Sequence, residues 1–310
     1  MKKSFFSPKV LLITSVAVLF AYLIGVVGVY SFDKFSQARS KEHAAASKQA
    51  AYDKLTDEER AIQKTENLLK NSIATVSTSE RVFYSYLQRK FDLPKEIGAH
   101  GPPIDLYENP RNYPEQIHFL ARIAYPEKIV KVAPSLGELD SNIKITNIYS
   151  ANCDHTALPK NFWPTMEAST NAGGYEAAHV ALAFAFMKDN GCNLAPNSQD
   201  LKQRSLDEMV QLAVNTNTIA DLRYEAIAFL LMDGRMDLVK PEWIDKIVLE
   251  QREDGGWSSE VGGYKIDNHS TLLAYWSLLE YSRPTTPYEP LILRPAKQPV
   301  GVLQYRQLWG

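Results

Sequence analysis

The sequence predicts an all-α protein in which one N-terminal transmembrane helix precedes a closed ring of helical hairpins with an inner and an outer layer. Three observations carry this. Val10 to Phe32 holds no charged residue, and at about 1.5 Å per helical residue it is long enough to cross about 30 Å of hydrocarbon. GGYEAAH (Gly173 to His179) and GGYKIDNH (Gly262 to His269) echo each other, and each runs into an apolar segment; LRYEAIAFLLM (Leu222 to Met232) is a weaker copy between them. Segments that are apolar on every side (His179 to Met187, Tyr224 to Met232, Ser270 to Tyr281) alternate with segments apolar on one face only, which separates buried inner helices from half-exposed outer ones. Fully apolar inner helices favour a closed ring over an open solenoid, whose concave face would be wet.

Residues 1–32 form a cytoplasmic tip and the anchor. Lys2, Lys3 and Lys9 before the apolar stretch favour a cytoplasmic N-terminus, and no clear A-x-A site follows, so an uncleaved signal-anchor is favoured over a signal peptide. The expected location is the inner (cytoplasmic) membrane, single-pass, with the body in the periplasm or outside the cell and the lipid bilayer as a partner. Residues 33–52 are polar and alanine-rich and read as a stalk. The helical domain spans 53–283. Its first helix is expected over Asp53 to Ser72, with Thr56 and Glu59 in a capping-box pattern and Ile62, Thr65, Leu69 and Ile73 on one face. A second is expected over Ser79 to Phe91. Residues 94–164 are rich in turn formers and read as irregular, with a short helix over Ile117 to Ala124 and a strand or irregular edge over Lys144 to Ser150. Leu206, Met209, Val210 and Ala213 mark one outer helix, and Trp243, Ile244, Ile247 and Val248 another. Residues 284–310 form a proline-rich extended tail, tied down by Leu291, Leu293, Tyr305 and Trp309.

A net charge of −2 gives no basic footprint for nucleic acid, and no nucleic-acid partner is expected. A hydrophobic fraction of 45% with 16 tyrosines suits a packed globular domain. Cys153 and Cys192 are either one disulfide, if the compartment is oxidising, or two buried thiols.

The glycine pairs place His179 and His269 at equivalent corners, at the N-terminal ends of inner helices, where imidazole can bind a ligand, hold a metal or move protons. Glu176, Glu225 and Asp267 are the candidate catalytic carboxylates. His179 and His269, with Asp154 and Cys153 of the run NCDHT, are the candidate metal ligands, zinc being the metal considered. Tyr175, Tyr264 and Trp257 join the histidines as candidate ligand-binding residues, since an aromatic-lined cavity suits an isoprenoid or a sugar ring. The competing reading makes each histidine a helix cap and each aromatic part of the core. The glycines supply positive φ at helix starts; no phosphate-binding glycine loop is present.

WIDKIVLEQ, QREDGGW (Gln251 to Trp257) and NHSTLLAYWSLLEY together form a unit that resembles the hairpin repeat of the α/α-toroid superfamily, which includes terpenoid cyclases and protein prenyltransferases. Gln251, Gly255 and Trp257 match the glutamine-to-tryptophan motif of the cyclases. The resemblance is best over about 240–281 and weaker back to Gly173. It implies a toroid with a central cavity. The aspartate-rich acid motif of the protonating cyclases is missing, and of the prenyltransferase zinc ligands only His269 has a counterpart. The expected function is therefore a membrane-anchored, extracytoplasmic ligand-binding or scaffold module, whose partner is a small molecule, a glycan or a protein. The alternative is an enzyme, metal-dependent or not, acting on a glycan or isoprenoid in the central cavity.

Overall fold

A computed structural model of the chain describes residues 54–72, 76–98, 120–124, 141–154, 156–215 and 217–292. Two compact units are distinguished, Met1–Thr56 and Asp57–Gly310. The expected transmembrane segment, the whole of the stalk, and Leu293, Tyr305 and Trp309 of the tail lie outside the described residues. Among the described residues no helix is long and apolar enough to cross a membrane.

The described secondary structure is helical. Helix α1 (Asp57–Ser72) begins with three acidic residues and carries Lys70 in its last turn, as the helix dipole favours. Its buried face holds Ile62, Thr65 and Leu69, as the sequence predicts. Helix α2 (Thr78–Phe91) starts at a capping box: the Ser77 side chain accepts from Glu80 N, and Glu80 accepts from Ser77 N at 3.0 Å. Short helices α3 (Lys95–Gly98) and α4 (Leu120–Ala124) follow.

Lys144 to Ser150, expected as a strand or irregular edge, lies instead in helix α5 (Asn142–Asn152). Ser141 caps it by accepting from Lys144 N at 3.4 Å. The isoleucines and Thr146 suggested β structure, but burial of Ile148 and Ala151 in a helical contact with α7 overrides that local preference.

Helices α6 (Phe162–Ala172), α7 (Gly174–Asn190), α8 (Ser198–Val214), α9 (Ala220–Met232), α10 (Pro241–Leu249) and α11 (Asn268–Ser282) complete the domain, with a 3₁₀ turn over Met236–Leu238. The expected alternation is present. Every residue of α9 is buried, as is nearly every residue of α7 and α11 beyond the first turn, whereas α8 and α10 bury one face only. The inner helices pack in the order α5, α7, α9, α11, and α11 also packs on α1 and α2. Helix α2 packs on α4, with Arg89 Nη1 donating to the Ile123 carbonyl at 2.9 Å. Arg122 of α4 then pairs with Asp154 at 2.8 Å, just past the end of α5, so the sequence of contacts returns to its start.

Two staples fix the hairpins. The Gln251 side chain donates to the carbonyls of Ala61 (2.8 Å) and Gly255 (3.1 Å), joining the α10–α11 turn to α1. Cys153 and Cys192 form a disulfide with a Cα–Cα distance of 5.9 Å, linking the ends of α5 and α7.

The tail is anchored where it is described. Asp189, near the end of α7, accepts from the Leu291 backbone N–H at 2.7 Å, from Ile292 N–H at 3.4 Å and from the Tyr288 hydroxyl. Leu291 and Ile292 are buried. Asp189→Ala is expected to free this segment at a cost of about 1–3 kcal/mol. Limited proteolysis would show faster cleavage beyond Arg283; an unchanged rate would mean that Leu291 and Ile292 alone hold the tail.

Candidate functional site

The ends of the inner helices are built alike. Counted from the helix starts, Tyr175, Asp221 and His269 are the second residues of α7, α9 and α11, and His179, Glu225 and Leu273 are the sixth. His179 and His269 are therefore not at the equivalent corners that the echo of the two glycine-pair segments predicts. Helix α7 starts at Gly174, directly on the glycine pair, where φ of +72° at Gly173 and +58° at Gly174 turns the chain at once. Helix α11 starts six residues after Gly262, behind a loop and the N-cap Asp267.

The upper tier is a hydrogen-bonded cluster centred on Asp221, which is 6% exposed. Its carboxylate accepts from the Tyr175 hydroxyl (2.6 Å), the Ser270 hydroxyl (2.6 Å) and His269 Nδ1 (3.0 Å). Burial alone would raise the Asp221 pKa, but the His269 hydrogen bond and charge, with the two hydroxyls, hold it below the usual carboxylate value. Burial would likewise lower the pKa of His269, yet the Asp221 hydrogen bond and charge prevail and raise it to about 9, so His269 is an imidazolium at neutral pH. Removing the charge in Asp221→Asn should bring the His269 pKa down by at least one unit, toward 6.5, in an NMR titration of the imidazole. A value still near 9 would mean that another group holds the proton.

The lower tier faces a cavity of about 240 Å³ lined by α2, α4, α5, α7, α9 and α11. Phe83, Leu182, Phe229, Leu272, Leu273 and Trp276 make its apolar wall. Its polar lining includes His179, Glu225, His269 and Asn147, with Glu80 and Ser79 from α2. The Glu225 side chain is 1% exposed, and neither of its carboxyl oxygens has a hydrogen-bond partner among the described residues. His179 Nε2 stands 3.7 Å from Glu225 Oε1, beyond hydrogen-bond reach. Burial raises the Glu225 pKa to about 8, with the Asp221 charge adding to the rise and the His269 charge opposing it. Burial, reinforced by the charge of His269, lowers that of His179 to about 4. The two therefore face each other uncharged at neutral pH rather than as an ion pair. Asn147 Nδ2 lies 2.7 Å from His179 Nδ1; with the amide NH₂ donating there, the imidazole proton sits on Nε2, toward Glu225.

The other sequence candidates lie elsewhere or are committed to the fold. Glu176 accepts from Asn142 Nδ2 at 3.0 Å, and Asp267 caps α11 through Ser270 N at 2.8 Å. Trp257 is fully buried and donates from Nε1 to the Ile247 carbonyl at 2.8 Å, while Tyr264 is 95% exposed. Cys153 is in the disulfide and Asp154 pairs with Arg122. Asp221, Asp267 and His269 bring potential ligand atoms within 4.8 Å of one another, but Asp221 and Asp267 already accept the bonds above, and His179 is not in that group. Asp221, Asn147 and Leu273 escaped the sequence reading. Numbering the copies from their helix starts would have found Asp221 and Leu273; nothing local marks Asn147, which comes from the segment expected as a strand or irregular edge.

Comparison with protein-family models, with curated proteins and with solved structures finds no match to this chain.

Proposed function

We propose that this chain is a membrane-anchored, extracytoplasmic, toroid-like module that binds a small, mostly apolar ligand in the cavity between its inner helices. The observation that carries the reading is Glu225: a buried carboxyl group with no hydrogen-bond partner among the described residues, in an apolar cavity, costs stability, and a bound ligand would supply the missing hydrogen bond. At about 240 Å³ the cavity lies just below the range of drug-sized sites, which points to a compact ligand. The alternation of inner and outer helices, and the return of the contacts to α5 through Arg122, support the toroid-like arrangement. The uncharged stretch Val10 to Phe32 supports the anchor, and the disulfide suits an oxidising compartment outside the cytoplasm.

A binding module is favoured over a glycan hydrolase by the arrangement of the acids. Hydrolysis needs two carboxyl groups flanking one bond, whereas Glu176 and Asp267 bond within the fold and, of the two acids that line the cavity, Glu80 is tied to the start of its own helix through Ser77 N, which leaves Glu225. The test uses the full chain in lipid nanodiscs and 1-octanol labelled with carbon-13 at C1. Saturable binding to the wild type, absent from empty nanodiscs and lost when Leu273→Trp or Leu182→Trp fills the cavity, is expected. Binding indifferent to both substitutions would reject the cavity as the site.

A further inference from the structure

We infer that the ligand is a monocarboxylic acid with a hydrocarbon tail, its carboxylate held among His179, Glu225 and His269 and its tail against the aromatic and leucine wall. This rests on the cavity being a ligand site. What it adds is the chemistry of the head group, read from hydrogen-bond direction. Asp221 takes the Nδ1 proton of His269, which leaves Nε2–H as the ring's remaining donor; no protein partner for it is present among the described residues. Asn147 donating to Nδ1 of His179 likewise leaves that ring an Nε2–H. Glu225, which burial keeps protonated at neutral pH, has no hydrogen-bond partner for either carboxyl oxygen among the described residues. Three donors thus line one end of an apolar cavity, and a carboxylate, with about four lone-pair positions on two oxygens, can accept all three. An alcohol can accept at most two and brings a donor; an ammonium group can accept none and would meet the charge of His269.

The charged groups around the head-group position agree with this. His269 faces Glu225 from α11 as a cation, its charge balanced by Asp221 of α9. His179 faces it from α7 without charge. Glu80 of α2 also lines the cavity and would repel an anion, but its carboxylate is turned to the start of its own helix, where it accepts from Ser77 N. The wall of Phe83, Leu182, Phe229, Leu272, Leu273 and Trp276 offers the tail no polar partner.

The proposal requires a pH dependence of definite sign. Below about pH 8 Glu225 is protonated and donates; above it the group ionises and repels the ligand's carboxylate. Above about pH 9 His269 loses its charge as well. Octanoate labelled with carbon-13 at the carboxyl would be titrated into the full chain in nanodiscs at pH 7 and pH 10, beside labelled 1-octanol and octylamine. Octanoate is expected to bind at least tenfold tighter than octanol at pH 7 and to lose that advantage at pH 10, where continued octanol binding shows that the cavity persists. His269→Gln should remove the preference at pH 7. Octanol binding as tightly as octanoate would overturn the carboxylate assignment and leave the cavity reading standing. Octylamine binding tightest would overturn it in favour of a cation. Saturable binding by none of the three would overturn both readings.

Discussion

Trp257→Ala is expected to destabilise the helical domain by about 3–5 kcal/mol, the range for deleting a fully buried aromatic side chain. The indole is 0% exposed, and its Nε1 donates to the Ile247 carbonyl, which would be left with an empty cavity beside it. The backbone of the same residue holds the turn: its N–H donates to Thr271 Oγ1 at 3.0 Å, and its carbonyl accepts from Asp267 N at 2.8 Å. Loosening Trp257 therefore loosens Asp267, the cap of α11, and with it His269. For a domain of this size the melting temperature should fall by roughly 10 °C. Trp257→Phe keeps most of the packing and loses the hydrogen bond, so it should cost less than half as much. Equal and small losses in both variants would show that the turn is held by other contacts. Gly255 beside it permits the same close approach: φ is +96°, and a Cβ there would sit 2.6 Å from the Lys64 carbonyl oxygen.

The second large effect belongs to Glu225 and appears as a pH dependence. Its folded pKa, near 8, lies far above the ordinary glutamate value. A raised folded value means that the native state binds the proton more tightly than the unfolded state. Its contribution is thus most favourable below about pH 4.5, declines as the unfolded chain ionises, and stops changing above about pH 8. Wild type measured against Glu225→Gln, which cannot ionise, should lose on the order of 3 kcal/mol of relative stability between pH 4.5 and pH 7. Taking the difference matters because the histidines also titrate. His179, lowered to about 4, reduces stability as pH falls below 6.5, and His269, raised to about 9, loses its contribution as pH rises from 6.5 through 9. Chemical denaturation of the two proteins across that range measures the effect. Parallel curves would mean that water reaches Glu225 and that the group titrates normally.

The architecture was legible because it rests on patterns that burial imposes. The all-round apolar segments became α7, α9 and α11, and the one-faced segments became α8 and α10. The glutamine-to-tryptophan stretch read as part of a repeat and is indeed a staple, with Gln251 bonded to α1 and Trp257 in the core. The site was legible only in part. His179, His269 and Glu225 were singled out and do line one cavity, yet their pairing by sequence spacing was misaligned. The cause is physical: a helix can start on a glycine with positive φ, as α7 does, or behind a loop capped by an aspartate, as α11 does, so similar distances from a glycine pair end on different turns. Asn147 was hidden because its helix depends on contact with α7, a non-local cause that no window of sequence contains.

Glu225 lies protonated in a cavity that a ligand can enter, with no hydrogen-bond partner among the described residues. Carbon-13 labelling of the glutamate side-chain carboxyls, with Glu225 assigned by comparison with Glu225→Gln, reads both the protonation and the ligand's access in the full chain. Glu225 is expected to titrate near pH 8, and its resonance to shift saturably with 1-octanol in the wild type but not in Leu273→Trp. A Glu225 resonance that titrates near pH 4.5 and ignores octanol would contradict both.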